Sequence, residues 1–183
     1  MTRMRRALVI FDSRYGNTVH IAEALARGLR SVPGLDAELD FAPNVTWSKI
    51  EATNLLLVGG PTEYLRASDH IRELFSRMGG VDLHRKFAFA FDTHARSPLS
   101  GGAARYIEDA LRSLGATMLE PRQSAWTELR AASGPRTLGS HREIELSAGM
   151  VEKFERIGAT LGREFLLALE AQLAGPEPTG PAA

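Results

Sequence analysis

Three short apolar runs contain no charged residue: 7–11 (Ala-Leu-Val-Ile-Phe), 55–58 (Leu-Leu-Leu-Val) and 87–91 (Phe-Ala-Phe-Ala-Phe). A strand with one solvated face would alternate polar and apolar residues, so these runs read as strands buried on both faces. Between them apolar residues recur at helical spacing: Ile21, Leu25 and Leu29; Ile71, Leu74, Phe75 and Met78; Ile107, Ala110, Leu111 and Leu114. Strand and helix alternating in this way predict a parallel sheet covered by helices on both sides. The alternating stretch 37–41 suits an edge strand, and a fifth strand is expected within 117–126. A last helix over 148–173 would turn Phe154, Ile157, Leu161, Phe165 and Ala168 to one side. The expected fold is α/β in three layers: a doubly wound, five-stranded parallel sheet in the order 2-1-3-4-5.

A chain of 183 residues fits one domain, here 1–173, followed by a Pro- and Ala-rich tail at 174–183. Residues 127–147 hold Gly134, Pro135, Gly139 and scattered charges, and read as a long loop between the fifth strand and the last helix. No internal repeat is present.

Composition narrows the function classes. With no cysteine, the chain has no disulfide, thiolate metal site, thiol nucleophile or cysteine-held iron–sulfur cluster, so redox chemistry must come from a bound cofactor. Twenty-two basic residues balance 22 acidic ones, which leaves no net field to attract nucleic acid. No segment reaches the roughly 20 apolar residues of a membrane span. The first apolar run is broken by Asp12, too early for a secretory signal core, so a cytoplasmic location is expected. His20, His70, His84 and His141 lack metal-ligand spacing and read as surface residues, and no metal is expected.

In a sheet of the expected order, ligands bind beyond the carboxyl ends of the strands, where the loops after strands one, three and four meet. The first loop, Asp12-Ser13-Arg14-Tyr15-Gly16-Asn17-Thr18, combines two hydroxyls, a flexible Gly16 and the open amides of a helix start. It suits a phosphoryl group. The same residues also suit an ordinary turn with a helix cap. The second loop runs Gly59-Gly60-Pro61-Thr62-Glu63-Tyr64-Leu65-Arg66; its glycines and Pro61 would let a ligand approach closely, and Tyr64 offers an aromatic face. The third, Asp92-Thr93-His94-Ala95-Arg96, is followed by Ser100-Gly101-Gly102 at the next helix start. Trp47 and Trp126 read as core or rim aromatics, with Trp126 placed to cover the edge of the site.

Ser-x-x-Gly-Asn-Thr after the first strand, Gly-x-Pro-Thr-x-Tyr after the third and Gly-Gly-Ala opening the fourth helix together resemble the flavodoxin family, over about residues 5–126. The resemblance implies a flavodoxin-like fold that binds FMN non-covalently and uses it to carry electrons. It implies that Ser13, Arg14, Tyr15, Gly16, Asn17 and Thr18 hold the phosphate. Pro61, Thr62, Glu63 and Tyr64 would flank the ring on one side, and Asp92, Thr93, His94 and Arg96 on the other. The chain departs from the family in being neutral, with Arg66, His94 and Arg96 where acidic residues commonly surround the flavin. Arg66 and Arg96 predict a less negative second reduction potential than an acidic flavodoxin shows. The second flanking loop also lacks the tyrosine that often stacks on the ring, so stacking would fall to Tyr64 and His94.

The leading expectation is an electron carrier without catalytic residues of its own, reduced by a reductase and oxidised by an acceptor protein. One alternative is an enzyme similar to the FMN-dependent NAD(P)H:quinone reductases of this fold, with His94 or Arg96 polarising the quinone. Another is a cofactor-free interaction module. The apolar stripe of the last helix leaves room for a homodimer.

Overall fold

The computed structural model describes residues 4–96, 102–130 and 143–175. The chain opens with β1 (Arg5–Phe11), α1 (Asn17–Arg30), β2 (Leu35–Phe41) and α2 (Trp47–Ala52). It continues through β3 (Leu55–Glu63), β4 (Arg66–Ala67), α3 (Asp69–Arg77), β5 (Phe87–Ala95) and α4 (Ala103–Ser113). The last elements are β6 (Thr117–Met118), β7 (Gln123–Arg130), β8 (Glu143–Leu146) and α5 (Met150–Ala174). The main path across the sheet is β2-β1-β3-β5-β7-β8, with β4 paired to β3 and β6 to β5. All main-path pairings are parallel except β7 with β8. This is the doubly wound, three-layer α/β/α arrangement, with its winding reversed between β1 and β3.

The period-2 geometry of strands sorts the unbroken apolar runs into two cores. Ala7 and Val9 of β1, with Leu55, Leu57, Phe87, Phe89 and Phe91, pack under α1 and α5. Leu8, Ile10, Leu56, Val58, Ala88 and Ala90 face α3 and α4. Over residues 87–91 of β5 the phenylalanines go one way and the alanines the other, so Phe89 and Phe91 fill the α5 side while the small face admits Ile107 and Leu111 of α4. Full burial of each such phenylalanine contributes about 1.5–3 kcal/mol. The backbones of α1 and α5 touch: a Cβ on Gly28 would lie 2.0 Å from the Glu155 carbonyl oxygen, and one on Gly158 would lie 2.3 Å from that of Leu25.

Two sequence expectations need correction. The fifth strand is interrupted: Met118 pairs with Ala88 and Gln123 with Phe91, leaving four residues, 119–122, opposite two. The bulge sends Arg122 towards α4, where Arg122 (2.7 Å) and Arg112 (2.9 Å) hold the buried Glu108 carboxylate. The hydrogen bond from Arg122, above all, keeps Glu108 below the usual carboxylate range. On the other face Glu120 meets Glu164 of α5, whose carboxyl is pushed up by burial and then by the Glu120 charge. The stretch expected as a loop at 127–147 is in part sheet: β7 continues to Arg130, and β8 returns antiparallel beside it, with Thr127 opposite Leu146. A four-residue alternation, Glu-Ile-Glu-Leu, is too short to register as a strand without its partner. Residues 131–142 of that stretch, Ser100, Gly101 and most of the tail lie outside the described residues. Among the described residues no helix is long and apolar enough to cross a membrane.

Candidate functional site

Gly16 caps α1 with φ +81°, a left-handed conformation that a side chain would strain, and has no side chain of its own to bond the first-turn amides. Ser13 Oγ accepts the Val19 amide at 3.3 Å, folding the loop over the helix start. The amides of Asn17 and Thr18, at the positive end of the helix dipole, have no hydrogen-bond partner among the described residues. Asn17 Nδ2 donates to the Ile144 carbonyl at 2.8 Å, which ties β8 to this loop.

Strands β3 and β5 run past the helical layers side by side, pairing Gly60 with Asp92 and Pro61 with Thr93. Their ends form one wall of a cleft of about 290 Å³. Arg14, Tyr15, Asn17 and Thr18 line it from the first loop; Pro61, Thr62 and Glu63 from the second; Thr93, His94 and Ala95 from the third. Thr127, Glu128, Leu129 and Ile144 complete it from β7 and β8. The buried Thr18 and Thr93 hydroxyls share a hydrogen bond of 2.7 Å across the junction of the first and third loops. The His94 ring is held by its Nδ1–H, which donates to the Ala95 carbonyl at 2.8 Å. Arg14 and Glu63 form an ion pair of 3.1 Å over one rim.

A family model for flavodoxin matches residues 9–139, which takes in every cleft-lining residue except Ile144. The chain belongs to the flavodoxin family. A flavodoxin of Aquifex aeolicus is 32% identical over 93 residues, 49% of this chain and 50% of that protein, so the matched stretch spans about half the length of the curated relative. Among solved structures, a flavodoxin from the domain Archaea superposes with a TM-score of 0.69 at 20% identity, over 88% of this chain and 99% of its own. Oxidised flavodoxin 1 from Bacillus cereus gives 0.69 at 21% identity, over 88% and 97%. At those identities the solved structures speak for the shared fold.

Against the flavodoxin expectation, the residues separate into three groups. Arg14, Tyr15, Asn17, Thr18, Pro61, Thr62, Glu63, Thr93 and His94 meet at the cleft, and Ser13 and Gly16 shape the loop behind them. Tyr64 does not join them: it is 94% exposed at the tip of the β3–β4 hairpin. Asp92 lies beneath, 1% exposed, accepting from Thr62 Oγ1 and the Ala104 amide, each at 3.0 Å; it braces the second loop against the start of α4. Arg96 stacks on Trp126 at 4.8 Å, outside the cleft lining, and Arg66 is exposed on β4. Trp47 carries Arg77 over its ring at 4.8 Å.

Gly59 and Gly60 serve the sheet instead of a ligand: a Cβ on Gly59 would lie 2.3 Å from the Phe91 ring, and one on Gly60 would lie 2.7 Å from Ile71. The lining residues that sequence reasoning missed, Thr127, Glu128, Leu129 and Ile144, all fall in the stretch expected to be loop. The available signal was two alternating runs flanking Gly134, Pro135 and Gly139, a hairpin pattern with a long connection.

Proposed function

We propose that the cleft holds FMN and that the protein carries electrons between a reductase and an acceptor protein. One observation carries this reading: a helix start with open amides, the 61–63 segment and the 93–95 segment all face one cleft, and a hydroxyl pair couples the first to the third. The residues fit the group. Ser13, Arg14, Tyr15, Gly16, Asn17 and Thr18 would hold the phosphate, with Pro61, Thr62 and Glu63 on one side of the ring and Thr93 and His94 on the other. A cleft near 290 Å³ is at the lower end of the range for small-ligand sites. FMN, when bound, supplies one- and two-electron redox chemistry.

The chain's own part is to bind and to tune. Helix amides and hydroxyls meet the phosphate charge without a lysine. Pro61, Leu129 and Ile144 give the cleft walls an apolar surface. The Nδ1–H bond to Ala95 orients the His94 ring, and the Arg14–Glu63 pair closes the rim. Mixing the purified protein with excess FMN and removing free ligand by gel filtration tests the reading. Flavin absorbance should co-elute with the protein in stoichiometric amount; protein that emerges colourless would overturn it.

A further inference from the structure

The two carboxylate oxygens of Asp92, beneath the cleft, are in different circumstances. Oδ2 accepts from Thr62 Oγ1 and from the Ala104 amide at the start of α4, and both bonds favour the ionised form. Oδ1 is buried with no hydrogen-bond partner. Among the described residues no lysine or arginine pairs with this carboxylate; the group beside Oδ1 is His94, two residues along the same face of β5, with Nε2 at 3.9 Å. A buried carboxylate is costly without a cation beside it.

The tautomer of His94 decides what Nε2 presents to that oxygen. Nδ1 meets the Ala95 carbonyl at 2.8 Å, and a carbonyl only accepts, so Nδ1 carries the hydrogen. In the neutral ring Nε2 is then an acceptor beside an anionic acceptor. A proton on Nε2 turns that opposition into an ion pair. The separation is too long for a hydrogen bond, but Coulomb attraction falls only inversely with distance.

His94 also lines the cofactor cleft, and its side chain is 11% exposed, so charge entering the cleft reaches the ring with little solvent to screen it. Several of the surrounding charges are engaged with each other: Arg14 with Glu63 at 3.1 Å, and Arg105 with Asp109 at 3.9 Å near the start of α4. Arg96 stacks on Trp126, the residue opposite His94 in β7. Glu128 lines the cleft from the same strand, with Glu145 opposite it on β8, and Tyr15 is the other titratable lining residue.

We propose that His94, held by Asp92, is a redox-linked proton site: reduction of FMN in the cleft draws one proton from solvent onto Nε2, and reoxidation releases it. This rests on FMN occupying the cleft. Electrons pass from the reductant to FMN, while the proton passes from water to the imidazole. Asp92 acts through His94 as a positioning residue.

The FMN-loaded protein, with isotopically labelled histidine, is titrated by NMR across the range in which an ordinary imidazole changes charge, once oxidised and once fully reduced by dithionite. The His94 midpoint should rise by about half a pH unit or more on reduction, while that of His84, which precedes β5 and is remote from the cleft lining, stays in place. The FMN potentials should fall with pH between the two His94 midpoints more steeply in the wild type than in His94→Gln. Asp92→Asn removes the charge at 3.9 Å and should lower the His94 midpoint by about one pH unit or more, in the oxidised protein and in the FMN-free full chain alike. If Asp92→Asn loses its dispersed spectrum, the wild-type comparison and the His94→Gln potentials decide. A His94 midpoint equal in both oxidation states, potentials with the same pH dependence in His94→Gln, or a midpoint that Asp92→Asn leaves unmoved or raises would each overturn the proposal. Protein that emerges colourless from gel filtration fails the cofactor reading; protein that retains FMN while His94 keeps one midpoint fails this inference alone.

Discussion

Thr18 and Thr93 are 75 residues apart in sequence, yet their hydroxyls meet at 2.7 Å. Removing Thr18 Oγ1 therefore strikes two loops at once. Thr18→Ala combined with Ser13→Ala should weaken FMN by at least about tenfold, the worth of one charge-assisted hydrogen bond. Riboflavin, which has no phosphate, should lose much less; fluorescence titration of both ligands separates the effects, and equal losses would reduce the turn to a structural role. Glu164 provides a second residue-scale outcome. Its Oε2 is buried without a partner, and burial first, then Glu120, holds its carboxyl above the ordinary range. A folded-state value above the unfolded one means that the native state favours the proton. Stability therefore falls as pH rises from the ordinary carboxylate range through the raised value, and the loss is complete above it. Glu164→Gln should flatten that fall and stabilise the protein at neutral pH, which urea midpoints measured across the pH range would show. Glu108 has the opposite sign: its arginine partners contribute stability that is full above the ordinary carboxylate range and is lost as pH falls from that range through the lowered value.

At the scale of elements, the β3–β4 hairpin turns on Tyr64 and Leu65, with φ of +47° and +68°. Two left-handed residues at the centre of a two-residue loop follow the type I′ pattern, which Asn-Gly serves far better than Tyr-Leu. Each non-glycine residue held there costs about 1–2 kcal/mol. The neighbouring helix also constrains the turn, because a Cβ on Gly102 would lie 2.4 Å from the Leu65 carbonyl oxygen. Tyr64→Asn with Leu65→Gly should stabilise the protein by about 1–2 kcal/mol. The change would appear as a higher urea midpoint at constant slope. An unchanged or lowered midpoint would mean that the exposed Tyr64 and Leu65 side chains contribute contacts which outweigh their backbone strain. The interrupted fifth strand, β6 with β7, has a different logic. Its four-residue bulge carries Glu120 to one face and Arg122 to the other, so one irregularity joins the loop to both helical layers.

Across the whole molecule, a neutral chain carrying Arg66 and Arg96 near the cleft mouth differs electrostatically from an acid-rich surface. Replacing Arg96 by Glu should make the FMN potentials more negative by an amount on the order of tens of millivolts, since reduction adds negative charge that an arginine favours and a carboxylate opposes. Spectroelectrochemical titration of both proteins at low and high salt measures the shift. High salt should shrink it, because Arg96 stacks outside the cleft and salt shortens the screening length from about 8 Å at physiological ionic strength to about 3 Å at 1 M. The fold was legible because charge-free runs at 7–11, 55–58 and 87–91 have few alternatives to doubly covered strands, and the helical periods between them force crossovers. The three cleft loops were legible for the same reason, since the winding order brings the ends of those strands together. Side-chain destinations were not. Whether Tyr64 covers the cleft or points to solvent, and whether Gly59 makes room for a ligand or for Phe91, depends on contacts between residues far apart in the chain. So does the pairing of 143–146 with 127–130. Local pattern determined which segments are strands and helices, because burial on both faces leaves a periodicity in the chain itself. Tertiary structure alone decided which residues line the cleft, because a short edge strand and a tight turn acquire their conformation from their neighbours.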